Sequence, residues 1–110
     1  MTRMTRMTRI RFYMQDYRAE KAVWQAIEAE LVKTFGGWTL YYAHGAWGSM
    51  VEDSKVYEML TPVKRSAKSL RELADKWARL AGQESILWTQ ESVQGEFVSM
   101  APPRVTMHSY

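Results

Sequence analysis

The sequence predicts a small α+β domain. Strand-like segments, the first with period-two alternation, are interleaved with two segments of helical periodicity, and glycine or proline stands at most of the junctions. Its 110 residues suffice for one domain with a single core. Ile10, Phe12 and Met14 alternate with Arg11, Tyr13 and Gln15, which predicts a strand over 10–15 with one buried face. Asp16 is placed to cap the first helix. Val23, Ile27, Leu31 and Phe35 recur every fourth residue, with Trp24 and Val32 beside them, so 20–35 reads as an amphipathic helix ended by Gly36-Gly37.

Residues 38–43, Trp-Thr-Leu-Tyr-Tyr-Ala, are aromatic and β-rich and predict a second strand. The stretch 44–53 holds Gly45, Trp47, Gly48 and Ser49 and reads as a hairpin connection longer than a tight turn. A returning strand over 55–60 closes at Thr61-Pro62. Ser69 and Glu72 have capping-box spacing. Leu70, Leu73, Ala74, Trp77, Ala78 and Ala81 then mark one helix face up to Gly82, and Trp77 and Trp24 are assigned to the core. A short strand is expected at 85–89 and a further edge strand at 93–100, before Pro102-Pro103. The order is βαββαβ, that of a ferredoxin-like sandwich: an antiparallel sheet with two helices on one face. The expected organisation is a disordered basic leader at 1–9, one α+β domain at 10–100 and a C-terminal tail at 101–110.

The absence of cysteine excludes disulfides and thiolate metal sites and suits a reducing cytoplasm. The formal charge of +3 comes from Arg3, Arg6 and Arg9, in a Met-Thr-Arg triplet repeat. From Ile10 onward twelve basic residues balance twelve acidic ones, so no nucleic-acid partner is expected. No apolar run approaches the roughly 18 residues of a membrane span, and the N-terminus lacks the apolar core of a signal peptide. Five Trp and six Tyr, many on or beside predicted strands, suit an interface on the sheet face without helices, which predicts a homo-oligomer.

The two histidines, His44 and His108, form no metal-ligand pattern, and no metal or other cofactor is expected. No P-loop, Gly-x-Gly-x-x-Gly or nucleophile elbow is present. Lys64, Arg65 and Lys68 read as a solvated approach to the second helix. The acidic pair Glu52-Asp53 has two readings. It can simply solvate the turn. Alternatively, one carboxylate faces a pocket lined by Tyr41, Tyr42 and Trp47, and a carboxylate among ring faces suits an organic cation such as an ammonium or sulfonium.

The run 39–98 resembles the phage-encoded S-adenosylmethionine lyases, formerly called hydrolases. The resemblance is carried by Tyr41, Glu52-Asp53 eleven residues on, Lys55-Val56-Tyr57, Leu73-Ala74 with Trp77, and Gln83-Glu84-Ser85-Ile86-Leu87. Gly45, Trp47, Glu52, Ser54-Lys55-Val56 and the same Gln83 motif also resemble an uncharacterised bacterial domain family. The lyase resemblance implies a PII-like fold, a trimer with pockets between subunits, and a site in the cytoplasm of an infected bacterium. It also implies a reaction in which the substrate's own carboxylate expels methylthioadenosine and closes homoserine lactone. By resemblance Tyr41 and Glu52 would be the catalytic pair, with Tyr42 and Asp53 in the pocket and Gln90 or Glu91, just past the last strand, reaching the ribose. Two alternatives share the element order: a non-catalytic PII-like trimer binding an adenine nucleotide, and a dimeric α+β barrel enzyme using His44.

Overall fold

A computed structural model describes residues 5–16 and 19–98. The elements are β1 (Thr5–Gln15), α1 (Lys21–Phe35), β2 (Thr39–Trp47), β3 (Met50–Thr61), α2 (Ala67–Ala81) and β4 (Leu87–Gly95). They form a small α+β domain: one four-stranded sheet in the order β2-β3-β1-β4, every neighbouring pair antiparallel, with both helices packed on one face.

The alternation of β1 decides which face is the core. Ile10, Phe12 and Met14 point to the helices and are fully buried. Their cross-strand partners Met59 and Tyr57 join them, with Trp24, Ile27 and Leu31 from α1 and Leu70, Ala74 and Trp77 from α2. Trp77 sets its edge against the Phe12 ring at 4.8 Å and donates its indole N–H to Glu30 at 2.7 Å. The same carboxylate group takes Lys76 at 2.7 Å. Burial pushes the Glu30 carboxyl up, and hydrogen bonds from Lys76 and Trp77 outweigh it, leaving the group below its usual range. A carboxyl depressed in the folded state stabilises above its unfolded pKa and loses that stabilisation as pH falls through the folded value. Melting curves of wild type and Glu30→Gln are therefore expected to converge in acid and separate at neutral pH; a constant gap at every pH would refute this linkage.

Helix ends follow local chemistry. Gly36 (φ 92°) and Gly82 (φ 67°) stop the two helices in the left-handed region where glycine is least strained. The N-termini differ from expectation. Asp16 does not cap α1: the cap position is Glu20, without a side-chain bond, while the Asp16 amide donates to the Asp53 carbonyl. The box of α2 lies one turn earlier than predicted. The Ser66 hydroxyl accepts from the Ser69 amide and the Ser69 hydroxyl donates to the Ser66 carbonyl, so Ser69 is a third-position partner, not the cap.

Pairing lengthens β1, β2 and β3 beyond their sequence signals and joins two expected segments in β4. The leader expected at 1–9 is strand from Thr5 on, because β4 continues to Gly95 and supplies partners: Thr5 opposite Gly95, Met7 opposite Val93. A triplet repeat has no period of two, so alternation could not reveal this. The expected connection at 44–53 is also strand; Trp47 pairs with Met50, leaving a two-residue turn with Gly48 at φ 62°. One strand, β4, takes in 87–89 of the segment expected at 85–89 and 93–95 of that expected at 93–100; residues 85–86 and 96–98 are not strand, and Gln90 and Glu91 lie inside β4 rather than past its end. Residues 1–4 and 99–110, including the expected C-terminal tail, lie outside the described residues. Among the described residues no helix is long and apolar enough to cross a membrane.

Two glutamines fasten the loops around this sheet. The Gln83 amide, 7% exposed, takes the Gln15 backbone N–H at 2.9 Å and donates to its carbonyl at 2.8 Å. Gln90 does the same to Arg65, at 2.8 and 2.9 Å. Arg65, expected in a solvated approach to α2, also reaches the Thr34 carbonyl and stacks over the Phe35 ring.

Candidate functional site

The register assigns the side chains of the helix-free face row by row. Odd positions of β1, β2 and β4 and even positions of β3 share it. One row carries Tyr41, Val56, Tyr13 and Leu87, and Val56 is fully buried although no helix covers it, because a tyrosine stands on each side. The next row toward the hairpin is Ala43, Ser54 and Gln15, then Gly45 with Glu52, then Trp47 with Met50. Ser54, Gln15 and Glu52 therefore lie in a depression between a Tyr13–Leu87 ridge and a Trp47–Met50 ridge. β1 ends at Gln15 while the β2–β3 hairpin continues past it, which opens the depression on one side.

The result is a cavity of about 380 Å³ lined by Tyr13, Gln15, Trp47, Met50, Glu52, Ser54, Glu84, Ser85 and Leu87. That volume falls in the range of small-molecule sites. Glu52 is half-buried and accepts one hydrogen bond, from the Gln15 side-chain amide at 2.9 Å. The chemistry of the wall is lopsided: two carboxylates, two aromatic rings and, among the described residues, no basic side chain.

On the other side of the Tyr41 row the face carries a chain of paired charges. Arg11 Nε donates to Glu58 at 2.7 Å, Arg9 to Glu91 at 2.8 Å, and Tyr41 OH to Glu58 at 3.1 Å. Partial burial and the Glu58 contact raise the Tyr41 pKa, so its hydroxyl stays protonated and acts as a donor. Glu58 also holds the Arg11 guanidinium firmly charged.

The residues expected to form one site are thus divided. Glu52 and Trp47 line the cavity as the hairpin reading anticipated. Tyr41 shares their face but stands level with Val56, four residues from Glu52 and about 13 Å along the strand. Tyr42 and Asp53 point to the opposite face, since each is one residue out of phase with its neighbour. Asp53 there meets the His44 Nδ1 at 2.6 Å in an exposed pair. Gln90 is committed to Arg65, and Glu91 to Arg9. Tyr13, Gln15 and Glu84 are not among the expected site residues, and Glu84 stands in the sequence only as part of the motif that carries the resemblance. Tyr13 was legible as the outward phase of β1, but nothing local signals that β1 neighbours β3. Among the described residues no group of three or more His, Asp or Glu is arranged to hold a metal ion. No family model matches the chain and no curated protein is significantly similar to it.

Proposed function

We propose that the chain is an S-adenosylmethionine lyase that binds its substrate in the cavity around Glu52, and that its sheet and helices form a ferredoxin-like, PII-like domain. The strand order β2-β3-β1-β4 is compatible with that fold. The observation that carries the functional reading is one cavity holding the half-buried Glu52 between the Tyr13 and Trp47 rings. Such a wall attracts an organic cation and offers apolar surface for a flat base.

The chemistry asks little of a catalyst. A carboxylate oxygen of the substrate attacks its own γ-carbon, the carbon–sulfur bond breaks, and its electron pair leaves with sulfur as neutral methylthioadenosine. Homoserine lactone keeps the ammonium, and no proton moves. The transition state loses charge separation, so a pocket drier than water favours it. Among the described residues the wall has no cation to hold the attacking carboxylate back. The ammonium stays charged throughout, so Glu52 serves best by holding that group. A carboxylate fixed on the sulfonium would stabilise the ground state more than the transition state. The conformer is then a matter of positioning, the largest contribution open to an enzyme without a nucleophile.

The wall also bears on the alternatives. A nucleotide-binding module would want cations for phosphate. His44, the residue a barrel enzyme would use, lies on the other side of the sheet from the cavity. The uncovered face exposes Trp47, Met50, Leu60 and Leu87 at 44–59%, with Tyr41 at 37%. We take this as the surface on which copies associate, as a trimer, with Tyr41 of a neighbouring copy brought to the cavity. The working compartment is the reducing cytoplasm.

The test is to incubate purified full-length chain with S-adenosylmethionine and follow methylthioadenosine and homoserine lactone by mass spectrometry. Both products in equal amounts are expected, from a particle with the mass of three chains. No turnover at micromolar enzyme sinks the lyase reading; a dimeric mass would favour the barrel architecture.

A further inference from the structure

We infer that Glu84 is a second anionic arm of this cavity and makes it selective for a ligand with two positive centres. The inference deepens the lyase reading and rests on it, because that substrate carries both an ammonium and a sulfonium.

Among the described residues, four acidic side chains are placed on the helix-free face or its cavity by register and lining: Glu52, Glu58, Glu84 and Glu91. Glu58 and Glu91 are neutralised by Arg11 and Arg9. Glu52 has a neutral amide partner, Gln15, and among the described residues no basic side chain pairs with Glu52 or Glu84. Both unneutralised carboxylates line the same cavity, together with the Tyr13 and Trp47 rings. Glu84 is exposed but not loosely placed. It follows Gln83, whose buried amide is bonded twice to the backbone of Gln15, the residue whose side chain donates to Glu52. The turn after α2 is thereby fastened to the end of β1, and Glu84 and Ser85 are held at the cavity wall opposite the hairpin. This explains why a Gln-Glu-Ser run stands there. The glutamine builds the joint, and the glutamate supplies charge beside it.

One positive centre leaves one carboxylate unpaired, whereas two satisfy both. With Glu52 on the ammonium, Glu84 is left to face the sulfonium. That contact weakens as sulfur becomes neutral, so Glu84 acts on binding rather than on the chemical step.

The experiment compares S-adenosylmethionine with S-adenosylhomocysteine, which has a neutral thioether in place of the sulfonium, on wild type and Glu84→Gln. Dissociation constants come from calorimetric titration, with steady-state turnover measured in parallel. Wild type is expected to favour the sulfonium ligand by about fivefold to tenfold, the scale of one partly solvated charge contact. Glu84→Gln should bring that preference close to one, raise KM by a similar factor and leave kcat unchanged or higher. Turnover in wild type with an undiminished preference in Glu84→Gln overturns the inference and leaves the lyase reading standing. No turnover, but a preference that Glu84→Gln abolishes, overturns the lyase reading and keeps the dication site. Absence of binding by either ligand overturns both.

Discussion

Glu52→Gln is expected to lower kcat/KM for S-adenosylmethionine cleavage by about 100-fold while leaving the fold unchanged. Truncating the charge of a half-buried partner to an ammonium costs on the order of 2–5 kcal/mol. Part of that cost should appear in KM, since the ammonium is charged in both ground and transition states. Part should appear in kcat, because in the proposed lyase the ammonium anchor would set where the γ-carbon lies relative to the carboxylate. The substitution is mild structurally. Glutamine has nearly the same volume, and its carbonyl oxygen can still accept from the Gln15 amide, as Glu52 does at 2.9 Å. The melting midpoint should therefore move by no more than about 2 °C, as for a surface substitution that breaks no packing. Wild-type turnover in Glu52→Gln would remove this residue from the mechanism.

The largest expected effect on stability is that of Trp77→Ala. The indole is fully buried, stands edge-on to Phe12 at 4.8 Å and donates to Glu30 at 2.7 Å. Removing a buried tryptophan costs about 3–5 kcal/mol in lost transfer energy and residual cavity. The total stability of a domain is only about 5–15 kcal/mol, and a small domain sits low in that range. The melting temperature should therefore fall by roughly 15–30 °C. Trp77→Phe should lose much less, since a ring still fills most of the space against Phe12. A fall below about 5 °C for Trp77→Ala would show that α2 is not the main cover of β1. The consequence reaches the cavity, because β1 carries Phe12 on one face and Tyr13 and Gln15 on the other. Loosening α2 loosens the strand that supplies two walls of the site.

The stripes of Trp24, Ile27 and Leu31 and of Leu70, Ala74 and Trp77 were readable as helix faces, and Gly36 and Gly82 as their ends. These are local signals, since a 3.6-residue period and a left-handed stop are written within one turn of chain. Strand lengths were less legible. Thr5–Arg9, the hairpin arms from His44 to Asp53, and the middle of β4 are strand because a neighbour offers backbone partners. Strand propensity mostly reports such context. The site was legible only where adjacent residues sufficed. Glu52 and Trp47 were found on one hairpin, but Tyr41 and Tyr42 looked equivalent, and so did Glu52 and Asp53. In each pair one residue's phase decides the face.

What the sequence determined by itself was therefore an α+β domain with two amphipathic helices, no cysteine chemistry, and a hairpin bearing a carboxylate and an aromatic ring. Tertiary structure alone decided that Tyr13, not Tyr41, shares the cavity with Glu52, and that Glu84 arrives there from the turn after α2. The physical reason is register. Residues 13, 52 and 84 line one cavity because β1 lies between β3 and β4 and ends two rows short of the hairpin turn, and Gln83 fastens the last turn there. Those relations depend on backbone pairing across long sequence separations, which no local pattern of side chains encodes.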